Sequence, residues 1–260
     1  MRKESNNQME SSEISAIKRG LSWVELKESL KKEGCPICMI MLNSLEKYFE
    51  FLLYEYVLDA AVHKKMLASF GMCNTHTYML KETEVKIKSD GLNISVLYET
   101  LLQKELKLLS RILEPQRKYN KRTFNYYRKE ILQKLAANGE CPACENQKHS
   151  ESFYTHEIIR LYKDEEFQKL YENNNVLLCR RHFLYLLNEA PNEEVITYFV
   201  NVQKIKLNKL FNNLTNFIQK HDYQSKIEIT EDEKKSWQQL LEYSASKKNV
   251  NKNGYNEILT

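Results

Sequence analysis

Six cysteines and two histidines recur in one frame, twice, and leave no cysteine over. Cys35-Pro36-Ile37-Cys38 is followed by Cys73-Asn74-Thr75-His76, and Cys141-Pro142-Ala143-Cys144 by Cys179-Arg180-Arg181-His182. The inner cysteines stand 35 positions apart in both copies, and every position of the first copy returns 106 residues later. Three thiols with one imidazole is the donor set of a closed tetrahedral zinc site, and two matches at one interval argue strongly against coincidence.

The competing chemistries fit less well. Covalent c-type haem needs a histidine directly after the second cysteine, where this chain has Met39 and Glu145. A thioredoxin-like CxxC needs a βαβ context, and neither copy has strand-like sequence nearby. Disulfides would pair six cysteines but give the two histidines no role. An iron–sulfur cluster held by three cysteines and one histidine remains the runner-up to Zn2+. The expected metal ligands are therefore Cys35, Cys38, Cys73 and His76 in one set, and Cys141, Cys144, Cys179 and His182 in the other.

The interval carries a geometric expectation as well. Two cysteines that share an ion with Zn–S bonds of about 2.3 Å lie close together. One helix between Cys38 and Cys73 would instead hold them about 50 Å apart, at about 1.5 Å per residue. Each half is thus expected to go out and come back as a helical hairpin, clasped at its foot by its own ion. Both donor pairs fall where helices begin, so free N–H groups and the positive dipole end favour thiolate.

Composition supports an all-α chain. Only 6 Gly and 4 Pro occur in 260 residues, while Leu, Lys, Glu, Asn and Tyr abound. A formal charge of +4 from 39 basic and 35 acidic residues points to no particular polyanionic partner. No uncharged apolar run of about 18 residues is present, so no membrane span is expected. The opening MRKESNNQMESS lacks the apolar stretch of an export signal, and a cytoplasmic location, where thiols stay reduced, is the expectation.

Taken in order, residues 1–11 read as disordered, 12–115 as a first metal-binding helical repeat, 116–246 as a second with C-terminal helices, the two sharing one core, and 247–260 as a flexible tail. Helices are expected from Ser12 to Gly34, from Pro36 to Asp59, from Asp59 to Ser69 and from Thr77 to Glu84. Further helices are expected from Ile94 to Leu113, Lys121 to Ala137, Cys141 to Tyr162, Asp164 to Tyr171 and Arg180 to Glu189. A long helix over Asn192 to His221 has Val195, Phe199, Val202, Ile205, Leu210, Leu214 and Ile218 as its expected buried stripe. Thr230 to Glu233 reads as a capping box opening a last helix. Ser44 and Ser150, Tyr48 and Tyr154, Tyr56 and Tyr162, and Leu80 and Leu186 match under the 106-residue offset, which suggests two related halves.

With CPxC, CxxH, CPAC, the aromatic Phe183 after the second histidine and the stretch FIQKHDY at Phe217 to Tyr223, the chain resembles a bacterial domain-of-unknown-function family with twin CPxC…CxxHF halves. The resemblance runs from about Ser12 to Tyr243. It implies an all-helical bacterial metal-binding protein and brings no activity with it. Thr77 departs from the pattern, standing where the second half has Phe183, and implies looser packing about His76.

Three other features carry weaker chemistry. Arg180 and Arg181 could bind an anion at a helix start, although offsetting a thiolate-rich centre is the plainer role. Residues 117–129 are basic and aromatic, as a nucleic-acid contact or a solvated helix face would be. Glu145, His149 and His156 lie along one helix and could serve a catalytic zinc only if a coordination position were open. His63 and His221 are expected on the surface. No nucleophile–base pair or phosphate loop is present, so the favoured reading is a zinc-stabilised, non-enzymatic helical protein that meets a macromolecule, protein before nucleic acid. A thiol-redox, iron–sulfur or metal-sensing protein is the alternative, and a metal-dependent hydrolase comes after it.

Overall fold

The structure, a computed structural model, describes residues 20–113, 121–173, 175–221 and 227–250. Those residues form eleven helices and no strand, with one isolated parallel bridge between Gly34 and Val176. The chain is all-α, as its periodicity and scarcity of glycine and proline require. The expected disorder of residues 1–11 and the helical start at Ser12 lie outside the described residues. No helix among those described is long and apolar enough to cross a membrane.

In order, the helices are α1 (Leu21–Leu30), α2 (Pro36–Tyr54), α3 (Ala60–Ser69), α4 (Asn74–Lys86), α5 (Leu92–Leu113) and α6 (Lys121–Leu135). They continue as α7 (Pro142–Arg160), α8 (Glu165–Asn173), α9 (Arg180–Glu189), α10 (Glu193–Lys220) and α11 (Glu231–Ala245). Local chemistry sets several of the starts. Pro36 and Pro142 take first-turn positions, where a missing N–H costs nothing. Asp59 accepts from the backbone N–H groups of Ala61 and Val62 to open α3, and Asp164 accepts from Phe167 N to open α8. Thr230 and Glu233 form the reciprocal capping box at α11.

Two compact units emerge, and their boundary falls inside α2 and inside α7. Unit 1 takes the chain up to Met41 together with Glu151 onward, and unit 2 is Leu42–Ser150. The core of unit 1 includes Leu26, Leu30, Ile37, Phe167, Tyr171, Leu178, Leu186 and Phe199, all fully or almost fully buried. Phe167 stacks on Tyr171, and Phe199 meets Tyr171 edge-on. Unit 2 is built around Leu45, Phe49, Leu52, Leu53, Met66, Leu80 and Leu97, with Cys141 and Cys144 in the same cluster.

The helices between the knuckles are unequal. Helix α2 has 19 residues and α3 only 10, and helices α7 and α8, of 19 and 9 residues, repeat the mismatch.

The long C-terminal helix is present, but its expected buried stripe is only partly right. Val195, Phe199, Val202 and Leu210 are buried, whereas Ile205 and Ile218 are 70% and 65% exposed. Leu214 is half-buried. Periodicity marks a face of a helix and not how far along that face a neighbour extends. Val250, in the segment read as tail, is buried, and Lys247 pairs with Glu242.

Candidate metal centres

Each donor pair sits at a helix start of the same form. Cys73 and Cys179 are the N-caps of α4 and α9, both with extended backbone, φ −64° in each. Cys73 O accepts from Thr77 N and Cys179 O from Phe183 N, both at 2.9 Å. Cys35 O and Cys141 O accept in the same way from Met39 N and Glu145 N. Every cysteine that opens a motif therefore stands at the start of a helical first turn, at the positive end of the helix dipole.

The eight side chains converge in two groups of four, but the groups exchange partners between the halves. Centre 1 is Cys35, Cys38, Cys179 and His182, in unit 1; centre 2 is Cys73, His76, Cys141 and Cys144, in unit 2. The pairing of Cys35 and Cys38 with Cys73 and His76, and of Cys141 and Cys144 with Cys179 and His182, is overturned. Identical 35-residue intervals made the two pairings indistinguishable by spacing, and the grouping of the side chains in the fold decides between them.

Within each centre the donor atoms all lie within 4.8 Å of one another. In centre 1, Nδ1 of His182 faces the sulfurs of Cys35, Cys38 and Cys179 at 3.2, 3.3 and 3.2 Å, and the sulfurs of Cys38 and Cys179 are 3.7 Å apart. In centre 2, Nδ1 of His76 faces Cys73, Cys141 and Cys144 at 3.2, 3.5 and 3.4 Å, with Cys73 and Cys144 3.8 Å apart. All six cysteines are free thiols. Either group could hold a metal ion.

The thiols of each cluster are pulled in opposite directions: burial pushes Cys35 well up and Cys73 up, and the bond to Cys141 pushes Cys144 up. Hydrogen bonds from Cys35 and Cys38 hold the Cys179 thiol well below its ordinary range, against burial. In centre 2 the bond from Cys144, helped by His76, pulls Cys141 down to about 3. Burial opposes charge on the His182 imidazole, yet the facing sulfurs of Cys179 and Cys38 raise its pKa well above the usual value.

Behind the donors the centres differ. Glu151 Oε1 lies 3.1 Å from Nε2 of His182, on an approach too oblique for a straight N–H···O bond. Arg181 grips the same carboxylate with two hydrogen bonds, Nε to Oε1 at 2.9 Å and Nη2 to Oε2 at 2.6 Å. Both side chains are only 8% exposed. Burial pushes the Glu151 carboxyl up, but His182 and Arg181 together hold it below its ordinary value. Ser246 Oγ lies 3.2 Å from Cys179 Sγ. In centre 2, Nε2 of His76 is buried without a hydrogen-bond partner among the described residues, and the ring of Phe49 lies 6.3 Å from the imidazole. Cys73 is the one donor of the eight that is not buried.

The loops leading in also differ. Gly34 has a left-handed backbone, φ +98°, and joins the segment before Cys179 reciprocally: its N–H donates to Asn175 O and its carbonyl accepts from Leu177 N, both at 3.1 Å. At the other knuckle, Asn138 N and Gly139 N both donate to Ala68 O at 2.9 Å. A Cβ on Gly139 would meet the Cβ of Ala68 at 3.0 Å, so here glycine serves close approach.

Arg181, expected to offset the thiolate charge, is instead paired with the Glu151 carboxylate, and Arg180 is exposed. Glu151 itself was missed. Its signal was present: under the 106-residue offset a glutamate stands where the other half has Leu45, a fully buried core residue. The catalytic trio is not assembled. Glu145 pairs with Lys65 at 2.8 Å, His149 is exposed, and His156 bonds Ser152 O and approaches Glu189. His63, expected on the surface, is half-buried and links Val57 O to Thr100 Oγ1. His221 is exposed, as expected. Of the basic stretch 117–129, residues 117–120 lie outside the described residues. The described remainder is mostly exposed, with Tyr126 at 73%.

A cleft of about 340 Å³ in unit 1 is lined by Cys35, Val176, Lys206, Lys209, Asp232 and Glu242 among others. Burial lowers the pKa of Lys206 to about 8. Its ammonium donates to the carbonyls of Tyr171 and Val176 and lies 4.6 Å over the Tyr171 ring. The lysine is engaged in holding the end of α8 and the turn toward Cys179.

The chain belongs to the family of unknown function DUF6062, whose model matches residues 17–251. It is 23% identical over 224 residues to an "Uncharacterized 23.9 kDa protein in xynA 3'region" of Caldicellulosiruptor sp. (strain Rt8B.4), covering 84% of this chain and 98% of that one. No solved structure matches.

Proposed function

We propose that the protein is a zinc protein, with Cys35, Cys38, Cys179 and His182 holding one ion and Cys73, His76, Cys141 and Cys144 the other. One observation carries the metal: sulfur pairs 3.7 and 3.8 Å apart around a common histidine nitrogen. A tetrahedral ion with Zn–S bonds of about 2.3 Å places its sulfurs about 3.8 Å apart. A four-iron cluster binds each cysteine to a different iron and a two-iron cluster divides the ligands between two irons, so either needs some donors wider apart than these. Four protein donors leave a tetrahedral ion no open position, which favours a structural role over hydrolysis. Free thiols at both four-donor sites fit a reducing, cytoplasmic setting.

The two halves read as an internal repeat whose helix plan supports the 106-residue offset. Helices α2 and α7 begin and end at matched positions, and α4 and α9 begin at matched positions. The function is interaction with a macromolecule, a protein before a nucleic acid. Apolar side chains left in solvent on α5 (Leu102, 59%; Leu106, 56%) and α10 (Phe211, 66%) support it.

Elemental analysis of the purified protein tests the metal, with two zinc equivalents per chain expected. Visible absorbance from iron, or thermal melting unchanged by strong chelation, would overturn the assignment.

A further inference from the structure

The two centres share one donor set and one helix geometry, yet they are supported in opposite ways. Neither histidine Nε2 makes a straight hydrogen bond, but behind His182 a buried carboxylate clamped by Arg181 lies 3.1 Å from Nε2, while the ring of Phe49 lies near His76. Outer partners of this kind orient a ligating histidine and raise its basicity, and losing one typically lowers metal affinity about 10–100-fold. Access differs in the same direction. Cys35 lines the cleft of unit 1 with only 4% of its surface exposed, whereas Cys73 is partly open to solvent. An incoming chelator or thiol-directed electrophile therefore meets a donor of centre 2 first.

Release at centre 2 would be felt structurally. Cys141 and Cys144 belong to the cluster that contains Leu45, Phe49, Leu52 and Met66, so their sulfurs, once freed, are polar groups in an apolar core. The same cysteines begin α7, and Cys73 caps α4.

We propose that centre 2 is an exchangeable soft-metal site, opened at Cys73, whose occupancy switches unit 2 between a tight and a loosened state while centre 1 keeps its ion. This rests on the reading of both centres as zinc sites and adds a division of labour between them.

The test uses the full-length, two-zinc protein and 4-(2-pyridylazo)resorcinol as the competing chelator. Zinc should leave in two phases of one equivalent each, at least about 10-fold apart in rate. After the first phase, iodoacetamide should label Cys73, Cys141 and Cys144, and amide exchange should rise in α3, α4 and α5 but not in α9 and α10. Glu151→Leu, which gives centre 1 the residue of the other half, should draw the slow phase toward the fast one. Release in one phase, or first labelling at Cys35, Cys38 and Cys179, would overturn the switch and leave the zinc assignment standing. Protein that carries no zinc when purified would instead remove the assignment on which the switch depends.

Discussion

Centre 1 and centre 2 were expected to be copies, and their donor atoms are. Each sets three sulfurs around a histidine Nδ1 at helix starts of the same form. What surrounds them is not copied. Centre 1 is backed by Glu151 and Arg181, both buried and joined by two hydrogen bonds, and its lead-in loop is stitched to its second donor segment by the Gly34 bridge. Centre 2 adjoins an apolar core and leaves Cys73 partly open. The difference teaches that donor identity fixes which ion fits, while the outer residues fix how firmly it is held and what its loss does to the fold.

The comparison can be broken most severely by removing both ions. Structural zinc in small domains contributes on the order of 10 kcal/mol, so stripping with a strong chelator should abolish cooperative melting followed by circular dichroism. Retention of the native transition would show that neither centre is structural.

Single-donor substitutions come next, because they report the exchange of partners. Cys38→Ser should cost one zinc equivalent and leave Cys179 open to alkylation while Cys73 stays as protected as in the parent protein. Mass spectrometry of the labelled peptides would contradict the geometry if Cys73 became reactive and Cys179 did not.

A smaller effect should follow from Glu151→Gln, with the affinity of centre 1 falling about 10–100-fold and that of centre 2 unchanged. Competition against a zinc indicator measures both constants. The pH dependence has a definite sign. The Glu151 carboxyl is held below its ordinary value, so it is ionised in the folded protein throughout the range in which the unfolded carboxyl is also ionised. Its contribution is then fully present above a pH of about 4.3 and disappears as pH falls through the lower folded value. The deficit of Glu151→Gln in thermal stability should accordingly be constant between about pH 5 and 8. A deficit that grew toward pH 8 would assign the glutamate another role.

The smallest effect concerns a contact in unit 2 between equivalents under the offset. Ser44 Oγ and Ser150 Oγ meet at 3.0 Å, and Ser44 also donates to Asn146 Oδ1. Ser44→Ala should cost about 0.5–1.5 kcal/mol in denaturant unfolding and leave both zinc affinities as they are. A change in either affinity would tie the serine pair to a centre.

Much of this was legible in the residues. The donors, their helix-start geometry and the caps at Asp59, Asp164 and Thr230 are local properties, set by residues a few positions apart. Partner choice was not legible, because Cys38 to Cys73 and Cys144 to Cys179 span the same 35 positions and either cysteine pair suits either CxxH. The exposure of Ile205 and Ile218 was equally hidden, since a helical stripe looks the same whether or not another element covers its far end. Glu151 left a faint trace as the charged counterpart of Leu45, but only the fold puts Arg181 and His182 on its two oxygens.

The sequence by itself determined that this chain is helical and that eight side chains have the chemistry to hold two ions, because propensity, capping and donor type act over a turn or two of chain. Tertiary structure alone decided that the donors cross between the halves and that one centre stands on a buried ion pair and the other beside an apolar core. Those outcomes depend on contacts between the motifs, over separations of 65 positions in one centre and up to 147 in the other, where local preference has no reach.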